Sequence, residues 1–227
     1  SRGCATFLDV KDNEVQRTRA RENQAINGYF ICDDGRYLYH VIRHETRLEH
    51  PAVREGDQLR ESNWDDALDV VVSRLAESPE RVVILLSPFL TEEEARAGAH
   101  LSRVLRGSVP GHVPNALREA PVSFPGGFAI DGDKAPNSAF VQNMAPVPLQ
   151  DLVVTKDTVI LFFNSSLRIG SVSPRDAEIL RRAGFVAVID VLWNDITALA
   201  DVVLPGRMWA EKSGTFSNSA GMAQSFG

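Results

Sequence analysis

The two cysteines of the chain are the residues with the clearest capacity for chemistry. Cys4 follows Ser1 by three positions, and Cys32 comes after 27 intervening residues, in a chain of 227 residues. Two such thiols can form a disulfide, stay as buried free thiols, or supply part of a larger site. The first residues lack an apolar signal region, so we expect a cytoplasmic protein, where paired cysteines more often serve metal or redox chemistry than a structural disulfide.

A metal site needs more ligands than these two thiols. His40 and His44 follow Cys32, but the spacing Cys-x27-Cys-x7-His-x3-His matches no zinc module, because structural zinc sites use closely spaced ligand pairs. The remaining option is that further ligands precede Ser1. The chain is then expected to be an excised piece of a longer protein.

A small β unit must position Cys4. Residues 3–20 predict two short strands around a polar turn, with Cys4 at the entry to the first strand. Residues 40–59 are polar and lack a sustained period, which predicts a linker. We therefore divide the chain into residues 1–58, a small β-rich unit with its linker, and residues 59–227, a second domain.

Helices alternate in the second domain with strands that are apolar on both faces. Capping boxes at Ser62 with Asp65 and at Thr91 with Glu94 predict two helix starts, and Ser173 followed by a proline predicts a third. The predicted strands are residues 81–87, 157–164, 185–190 and 200–206. Such strands are typical of a parallel sheet covered on two sides. The predicted class is α/β, a doubly wound, mainly parallel sheet preceded by the small β-rich unit.

An irregular segment separates the two halves of this predicted sheet. Residues 108–150 hold seven of the twelve prolines and no periodic stretch. Long irregular loops are often functional, and ligand crevices in doubly wound folds lie at the carboxyl ends of strands, so the segment is either the lip of a crevice or a surface excursion.

Composition and charge exclude several classes of function. Hydrophobic residues make up 44% of the chain and charged residues 24%, which is ordinary for a globular protein. The formal charge of −6 argues against a nucleic-acid partner, since phosphate binding requires clustered basic residues. No apolar run approaches the ~20 residues of a membrane span, which predicts no direct membrane insertion.

Phosphate-binding motifs are also missing from the sequence. Neither the glycine-rich dinucleotide fingerprint nor the P-loop pattern occurs. The amides of Ser165, Ser166 and Gly170 follow a predicted strand and could hold an anion, but a tight turn that requires glycine is the favoured explanation.

The surroundings of the cysteines resemble a known family. "SRGC", the gap of 27 residues and "ICDDGRY" are similar to the second half of the Cys-x2-Cys-x3-Cys-x27-Cys iron–sulfur motif of the molybdopterin oxidoreductase superfamily. The stretch "NQAINGYFICDDGRY" resembles, within that superfamily, the large iron–sulfur (G-type) subunit of NADH:quinone oxidoreductase, respiratory complex I. "SNWDDALD", residues 62–69, resembles the start of the family's first large helix.

The far end of the chain carries the most specific resemblance. "TALADVVLPGRMWAEKSGTFSNSAGMAQ", residues 197–224, is similar to the closing segment of the family. "DGDKAPNSAF", residues 131–140, resembles a shorter element that bears an asparagine. Residues 88–130 show no such similarity.

The resemblance implies a [4Fe-4S] cluster in the full-length protein. Cys4 and Cys32 would be two of its four thiolate ligands, with the other two before Ser1, so this chain alone is expected to hold no cluster. Arg2 and Arg36 flank the cysteines and would moderate the anionic cluster, or else are ordinary surface charges.

The resemblance also implies a shortened molybdopterin-oxidoreductase-like fold whose pterin site is degenerate. Where the family has Glu-Gly-Arg, this chain has Ala220, Gly221 and Met222, and the lost arginine removes a bidentate anion contact. Residues 88–130 hold no cysteine that could bind a pterin-bound metal. The residues left for the degenerate site are Asn137, Asn164, Asn218 and Gln224. Bound molybdopterin is therefore not expected.

These features predict an electron-transfer iron–sulfur subunit of an NADH:quinone oxidoreductase or a related NADH-linked complex, with the excised chain inactive. Its partners would be the other subunits of that complex, which would hold it at the periphery of the inner membrane. One alternative is a non-catalytic scaffold that kept the fold and lost its cofactors. Another is a molybdopterin-dependent oxidoreductase related to formate dehydrogenases.

Overall fold

The fold is described from a computed structural model. The structure describes residues 2–77, 81–105, 108–114, 120–123, 125, 129–130, 132–164 and 172–227. The predicted anion-binding amides of Ser165, Ser166 and Gly170 lie outside the described residues. None of the helices within these ranges is long and apolar enough to cross a membrane.

A small β-rich region forms the N-terminus, as predicted. Strands β1 (Thr6–Lys11) and β2 (Glu14–Ala20) pair antiparallel around a two-residue turn. Asp12 and Asn13 occupy this turn at φ 53° and 60°, a left-handed conformation that short polar side chains tolerate. Helix α1 (Asp33–Tyr37) begins directly after Cys32 and leads into a 3-10 turn.

The rest of the chain alternates strands and helices. Its first part contains β3 (Ala52–Glu55), β4 (Gln58–Glu61), α2 (Trp64–Glu77), β5 (Val82–Leu86), α3 (Glu92–Val104), β6 (Val109–His112), β7 (Val122–Ser123), β8 (Ala129–Ile130), α4 (Ser138–Met144) and β9 (Val147–Pro148). Its second part contains β10 (Val159–Phe163), α5 (Pro174–Leu180), β11 (Phe185–Asp190), β12 (Val202–Pro205), β13 (Gly214–Ser217) and β14 (Ala223–Phe226).

Eight of these strands form one mainly parallel sheet, which confirms the predicted fold class. Their order is β4-β3-β12-β11-β10-β5-β6-β9. From β12 to β9 all neighbours run parallel, whereas β3 runs antiparallel to both β12 and β4. Strand β10 lies at the centre, between β5 and β11, and the side chains of this region are almost entirely buried.

Helices cover both faces of the sheet. Val83 and Leu85 of β5 belong to a core cluster that includes Leu180 of α5. Their neighbours Val82 and Ile84 point the other way, into a cluster that also contains residues of α2, α3 and α4. This alternation explains why the strand is continuously apolar, because each face packs against a different layer of helices.

The predicted linker is wrong in its second half. Residues 52–55 and 58–61 form β3 and β4, which extend the sheet at its antiparallel edge. Gly56 makes the tight turn between them at φ 61°. The strands are too short and too charged to show a clear alternation in the sequence. The predicted division between residues 58 and 59 falls within this hairpin, and the two-domain division stays a prediction.

The described parts of the proline-rich segment 108–150 also contain more regular structure than its sequence predicts. It contributes β6 and β9 to the edge of the sheet and contains helix α4. Pro110 and Gly111 occupy half of β6, and Pro148 ends the two-residue β9, so neither strand has an apolar period. Proline lacks an amide donor and favours short strands at sheet edges, which is where β9 lies.

The helix starts were predicted well. Thr91 and Glu94 form the reciprocal capping box of α3, and Ser173 caps α5 ahead of Pro174. The cap of α2 is Asn63 rather than Ser62, since the Asn63 Oδ1 atom accepts a hydrogen bond from the Asp66 amide at 2.9 Å. The predicted box is therefore displaced by one residue.

Candidate metal centre

The two cysteines are free thiols that lie within electrostatic reach of each other. Cys4 is half-buried just before β1, and Cys32 is exposed at the start of α1. Burial raises the pKa of the Cys4 thiol, the nearby Cys32 sulfur raises this pKa further, and the charge of Arg2 opposes both effects. The Cys4 thiol is therefore influenced by a residue 28 positions away in the chain.

The segment between the cysteines holds the Cys4 strand in place. Asn27 accepts a hydrogen bond from the Ala5 amide at 2.9 Å and donates to the Arg21 carbonyl at 3.0 Å. The guanidinium of Arg2 donates to the carbonyl of Ile26 at 2.6 Å. Sequence reasoning missed the role of Asn27, although an Asn-Gly pair is typical of a tight turn.

The C-terminal hairpin of β13 and β14 holds the same segment from another side. The Asn218 side chain donates to the carbonyl of Arg2 at 2.9 Å, and the Gln224 side chain donates to the carbonyl of Gly3 at 2.7 Å. Gly3 has a φ of 73°, and a Cβ atom added there would lie 2.6 Å from the Gln224 nitrogen. The backbone of Arg2 and Gly3, just before Cys4, is therefore hydrogen-bonded directly to the hairpin.

Helix α3 anchors this hairpin through three acidic residues of its first turn. Ser217 donates to Glu92 at 2.6 Å, and the Thr215 amide donates to Glu93 at 2.9 Å. Lys212 makes an ion pair with Glu94 at 2.5 Å. The α/β domain and the cysteine segment are in this way joined by consecutive polar contacts.

Three of the four predicted pterin-site residues lie along this connection, and the fourth does not. Asn137 accepts from the Ser217 amide at 3.0 Å and donates to the Leu90 carbonyl at 2.9 Å. Asn218 and Gln224 continue the path to the cysteine segment. Asn164 lies elsewhere, after β10, and donates to the carboxylate of Asp190 at 2.6 Å. The assignment of these amides to a pterin site stays a prediction.

The two arginines beside the cysteines differ in their surroundings. The charge of Arg2 opposes the rise in the pKa of the Cys4 thiol that burial and Cys32 cause. Arg36 lies on α1 within 4.0 Å of Asp33, at an exposed position. Met222, in the position of the family arginine, follows Gly221 in the turn between β13 and β14.

The donor set fits half of a four-thiolate iron site. Within the ranges that the structure describes, no group of three or more His, Cys, Asp or Glu side chains could hold a metal ion. His44 contacts the Thr46 hydroxyl and His40 stacks on Tyr39, so the two imidazoles have other partners. Cys4 and Cys32 are the residues that could ligate a cluster here, and two further thiolates would be required.

An α/β fold that brings a thiol pair beside its C-terminal hairpin is consistent with a family of redox proteins. Residues 169–227 match the family model "Molybdopterin oxidoreductase". This range contains α5 and every strand from β11 to β14, and hence Asn218 and Gln224. The predicted resemblance to the molybdopterin oxidoreductase superfamily is confirmed over these residues.

Particular relatives carry the similarity further. A probable oxidoreductase YjgC of Bacillus subtilis is 28% identical over 47% of this chain and 11% of its own length. The F420-dependent formate dehydrogenase 2 subunit alpha of Methanococcus maripaludis is 30% identical over 45% of this chain and 15% of its own length. The NADH-quinone oxidoreductase subunit 3 of Thermus thermophilus is 33% identical over 46% of this chain and 13% of its own length. The chain therefore spans only 11–15% of the length of these relatives.

Proposed function

We propose that this chain supplies two of the four ligands of a [4Fe-4S] cluster and that the full-length protein transfers electrons within a redox complex. Cys4 and Cys32 would bind iron as thiolates, and two cysteines upstream of Ser1 would complete the set in a Cys-x2-Cys-x3-Cys-x27-Cys arrangement. The observation that carries the proposal is that both cysteines are free thiols with the 27-residue spacing of this motif, and that Cys4 lies in a segment held by hydrogen bonds with Asn218, Gln224 and Asn27.

The chain's own residues would hold the cluster and moderate its charge. A bound [4Fe-4S] cluster supplies one-electron transfer, at a potential set by charge, hydrogen bonds and exposure. Half-burial at Cys4 would limit water on one side of the site, and Arg2 would offset part of the negative charge of the thiolates. The exposed Cys32 would leave an open side, which suits electron exchange with a neighbouring redox centre.

The names of the relatives favour a subunit of a larger complex. One relative is a subunit of an NADH-quinone oxidoreductase, and another is an alpha subunit of a formate dehydrogenase. We propose other subunits of an NADH-linked redox complex as the partners, with this protein as a peripheral electron-transfer subunit. Met222 in place of the family arginine favours an electron-transfer role over a pterin-dependent one.

A scaffold role is the second candidate, and one surface of α2 favours it. Trp64, Leu68 and Val72 recur every four residues on one side of the helix, with exposed fractions of 47%, 42% and 60%. Such an apolar stripe is typical of a contact with another subunit. A pure scaffold would bind no iron in its native form, whereas the electron-transfer subunit would.

Metal analysis of the native full-length protein tests the proposal. The coding sequence upstream of Ser1 should show a cysteine immediately before Ser1 and another three positions earlier. The protein, isolated without oxygen, should contain four irons and four sulfides at this site beyond those of any other cluster, with a reduced-state paramagnetic signal at low temperature. Neither molybdenum nor tungsten is expected.

Substitution of the cysteines locates the cluster. Cys4→Ser and Cys32→Ser should each remove this signal, whereas His40→Ala, in the 3-10 turn after α1 and outside the proposed ligand set, should retain it. Absence of the upstream cysteines, or an unchanged signal in both serine variants, would overturn the proposal.

A further inference from the structure

We infer that Asn218 and Gln224 are positioning residues for the Cys4 ligand. Their side chains hold the backbone of Arg2 and Gly3, and through it fix where the Cys4 sulfur lies relative to Cys32. This inference rests on the proposed cluster site, and it gives the two amides a role in electron transfer that does not involve a pterin.

The hydrogen bonds leave the Cys4 segment little freedom. Successive carbonyls, those of Arg2 and Gly3, accept from Asn218 at 2.9 Å and from Gln224 at 2.7 Å. The Gln224 nitrogen occupies the space that a side chain at residue 3 would need. After Cys4, the Ala5 amide donates to Asn27. The backbone is thus held both before and after Cys4 in the sequence.

Asn218 is itself fixed by the turn that it stabilises. Its side-chain oxygen accepts hydrogen bonds from the amides of Ala220 at 3.0 Å and Met222 at 2.9 Å. Its side-chain nitrogen donates to the carbonyl of Arg2. The side chain is buried. One end of this amide therefore builds the hairpin and the other end holds the cysteine segment, which allows the two roles to be separated by substitution.

The hairpin is a firm support because it is bound to α3. The contacts of Ser217 with Glu92 and of Thr215 with Glu93 join β13 to the first turn of a helix whose inner face is in the core. A ligand held by such a support moves less than one on a free loop. Ligand position and solvent access in turn set the reduction potential of an iron–sulfur cluster.

Isosteric substitutions test the inference in the full-length protein. Asn218→Asp keeps the oxygen that builds the turn and removes the donor to Arg2. Gln224→Met keeps the side-chain size and removes the donor to Gly3. Gln150→Met is the matched control, because the Gln150 amide donates to Asp176 at 3.2 Å, far along the chain from the hairpin.

Each test variant should shift the midpoint potential and the paramagnetic signal of the cluster. Each should also lose iron to a chelator about fivefold faster than the unsubstituted protein, which corresponds to the loss of one net hydrogen bond. The control should change none of these. A variant that merely destabilised the fold would lower the melting temperature without moving the potential of the remaining clusters.

A second readout, independent of iron, uses the thiols of the 227-residue chain. The rate of alkylation of Cys4 by iodoacetamide, relative to that of Cys32, should rise about fivefold in Gln224→Met and stay constant in Gln150→Met. Unchanged relative rates and unchanged potentials would overturn the inference while leaving the cluster intact. A native protein without iron would instead overturn the proposed function, and the alkylation rates would still decide the positioning role.

Discussion

The side-chain oxygen of Asn137 accepts a hydrogen bond from the backbone amide of Ser217 at 3.0 Å. The nitrogen of the same side chain donates to the carbonyl of Leu90 at 2.9 Å, and none of the residue is exposed. One buried amide therefore joins the start of α4, the loop before α3 and the strand β13. It is the first link of the connection that ends at Cys4.

Substitution of Asn137 by alanine should destabilise the protein. The change removes the partner of the buried Leu90 carbonyl and of the half-buried Ser217 amide, at a cost of about 2–4 kcal/mol in the free energy of unfolding. Urea denaturation measures the loss. Asn143→Ala, at an exposed position in α4, is the matched control and should stay within about 0.5 kcal/mol of the unsubstituted protein. Equal stabilities of the two variants would show that Asn137 has no structural role.

The carboxylate of Asp9 should titrate at unusually low pH. Hydrogen bonds from Arg19, and next those from Arg17, hold the pKa of this carboxyl well below its ordinary range. Arg19 binds both oxygens, with distances of 2.8 Å from its Nε and Nη2 atoms. Because the folded-state pKa is depressed, the ion pairs stabilise the hairpin above about pH 4 and lose this effect as the pH falls through the folded-state pKa.

Nuclear magnetic resonance of the Asp9 side-chain carbon measures this pKa. Arg19→Gln should raise it most and Arg17→Gln less, following the order of their effects. Arg21→Gln is the control, since the Arg21 guanidinium lies over the Phe7 ring instead. An ordinary aspartate pKa in the unsubstituted protein would contradict the prediction.

Replacement of Gly3 by alanine should disrupt the cysteine segment more than the same change at Gly28. Both glycines have a positive φ, 73° and 54°, so both substitutions strain the backbone. Only at Gly3 would the new Cβ meet another group, the Gln224 nitrogen at 2.6 Å, whereas nothing lies within 4 Å at Gly28. Alkylation of the Cys4 thiol should therefore accelerate in Gly3→Ala and stay slow in Gly28→Ala. Equal rates would show that the contact with Gln224 does not order the segment.

Local signals were enough to predict much of the α/β fold. The capping box of Thr91 with Glu94 and the cap at Ser173 are complete within four residues, so their geometry can be read from sequence. The central strands could be predicted because both of their faces are buried, which makes them continuously apolar in the sequence. Strand β3 was missed because its position depends on pairing with β12, almost 150 residues later in the chain.

Gly184 is a residue whose role depends on a contact that is distant in the sequence. A Cβ atom there would lie 1.8 Å from the carbonyl oxygen of Lys156, because the backbone before β11 passes close to the backbone before β10. Likewise, spacing alone could not distinguish a thiol pair from two isolated thiols. The resemblance to an iron–sulfur motif predicted the pair, and the partners of Asn218 and Gln224 emerged only from the fold.

A buried carboxylate at the end of β11 organises the loop that follows. Asp190 is fully buried and accepts hydrogen bonds from the side chains of Asn164 at 2.6 Å and Asn194 at 2.7 Å, and from the Val191 amide at 2.8 Å. The same Asn194 side chain accepts from the amides of Ile196 and Thr197. The carboxylate thus fixes both the end of β10 and the loop leading to β12.

Asp190→Asn should therefore be destabilising despite its equal size. Asn164 and Asn194 both donate to one oxygen of the carboxylate and the Val191 amide donates to the other, so an asparagine at position 190 can accept at only one of these two places and leaves the remaining donor or donors facing an amide nitrogen. The expected cost is about 2–3 kcal/mol in the free energy of unfolding, since hydrogen bonds to a charged group are among the stronger ones. Asp195→Asn, five positions later and exposed, is the matched control and should change stability little. Unchanged stability of Asp190→Asn would show that the loop does not depend on both oxygens of this carboxylate.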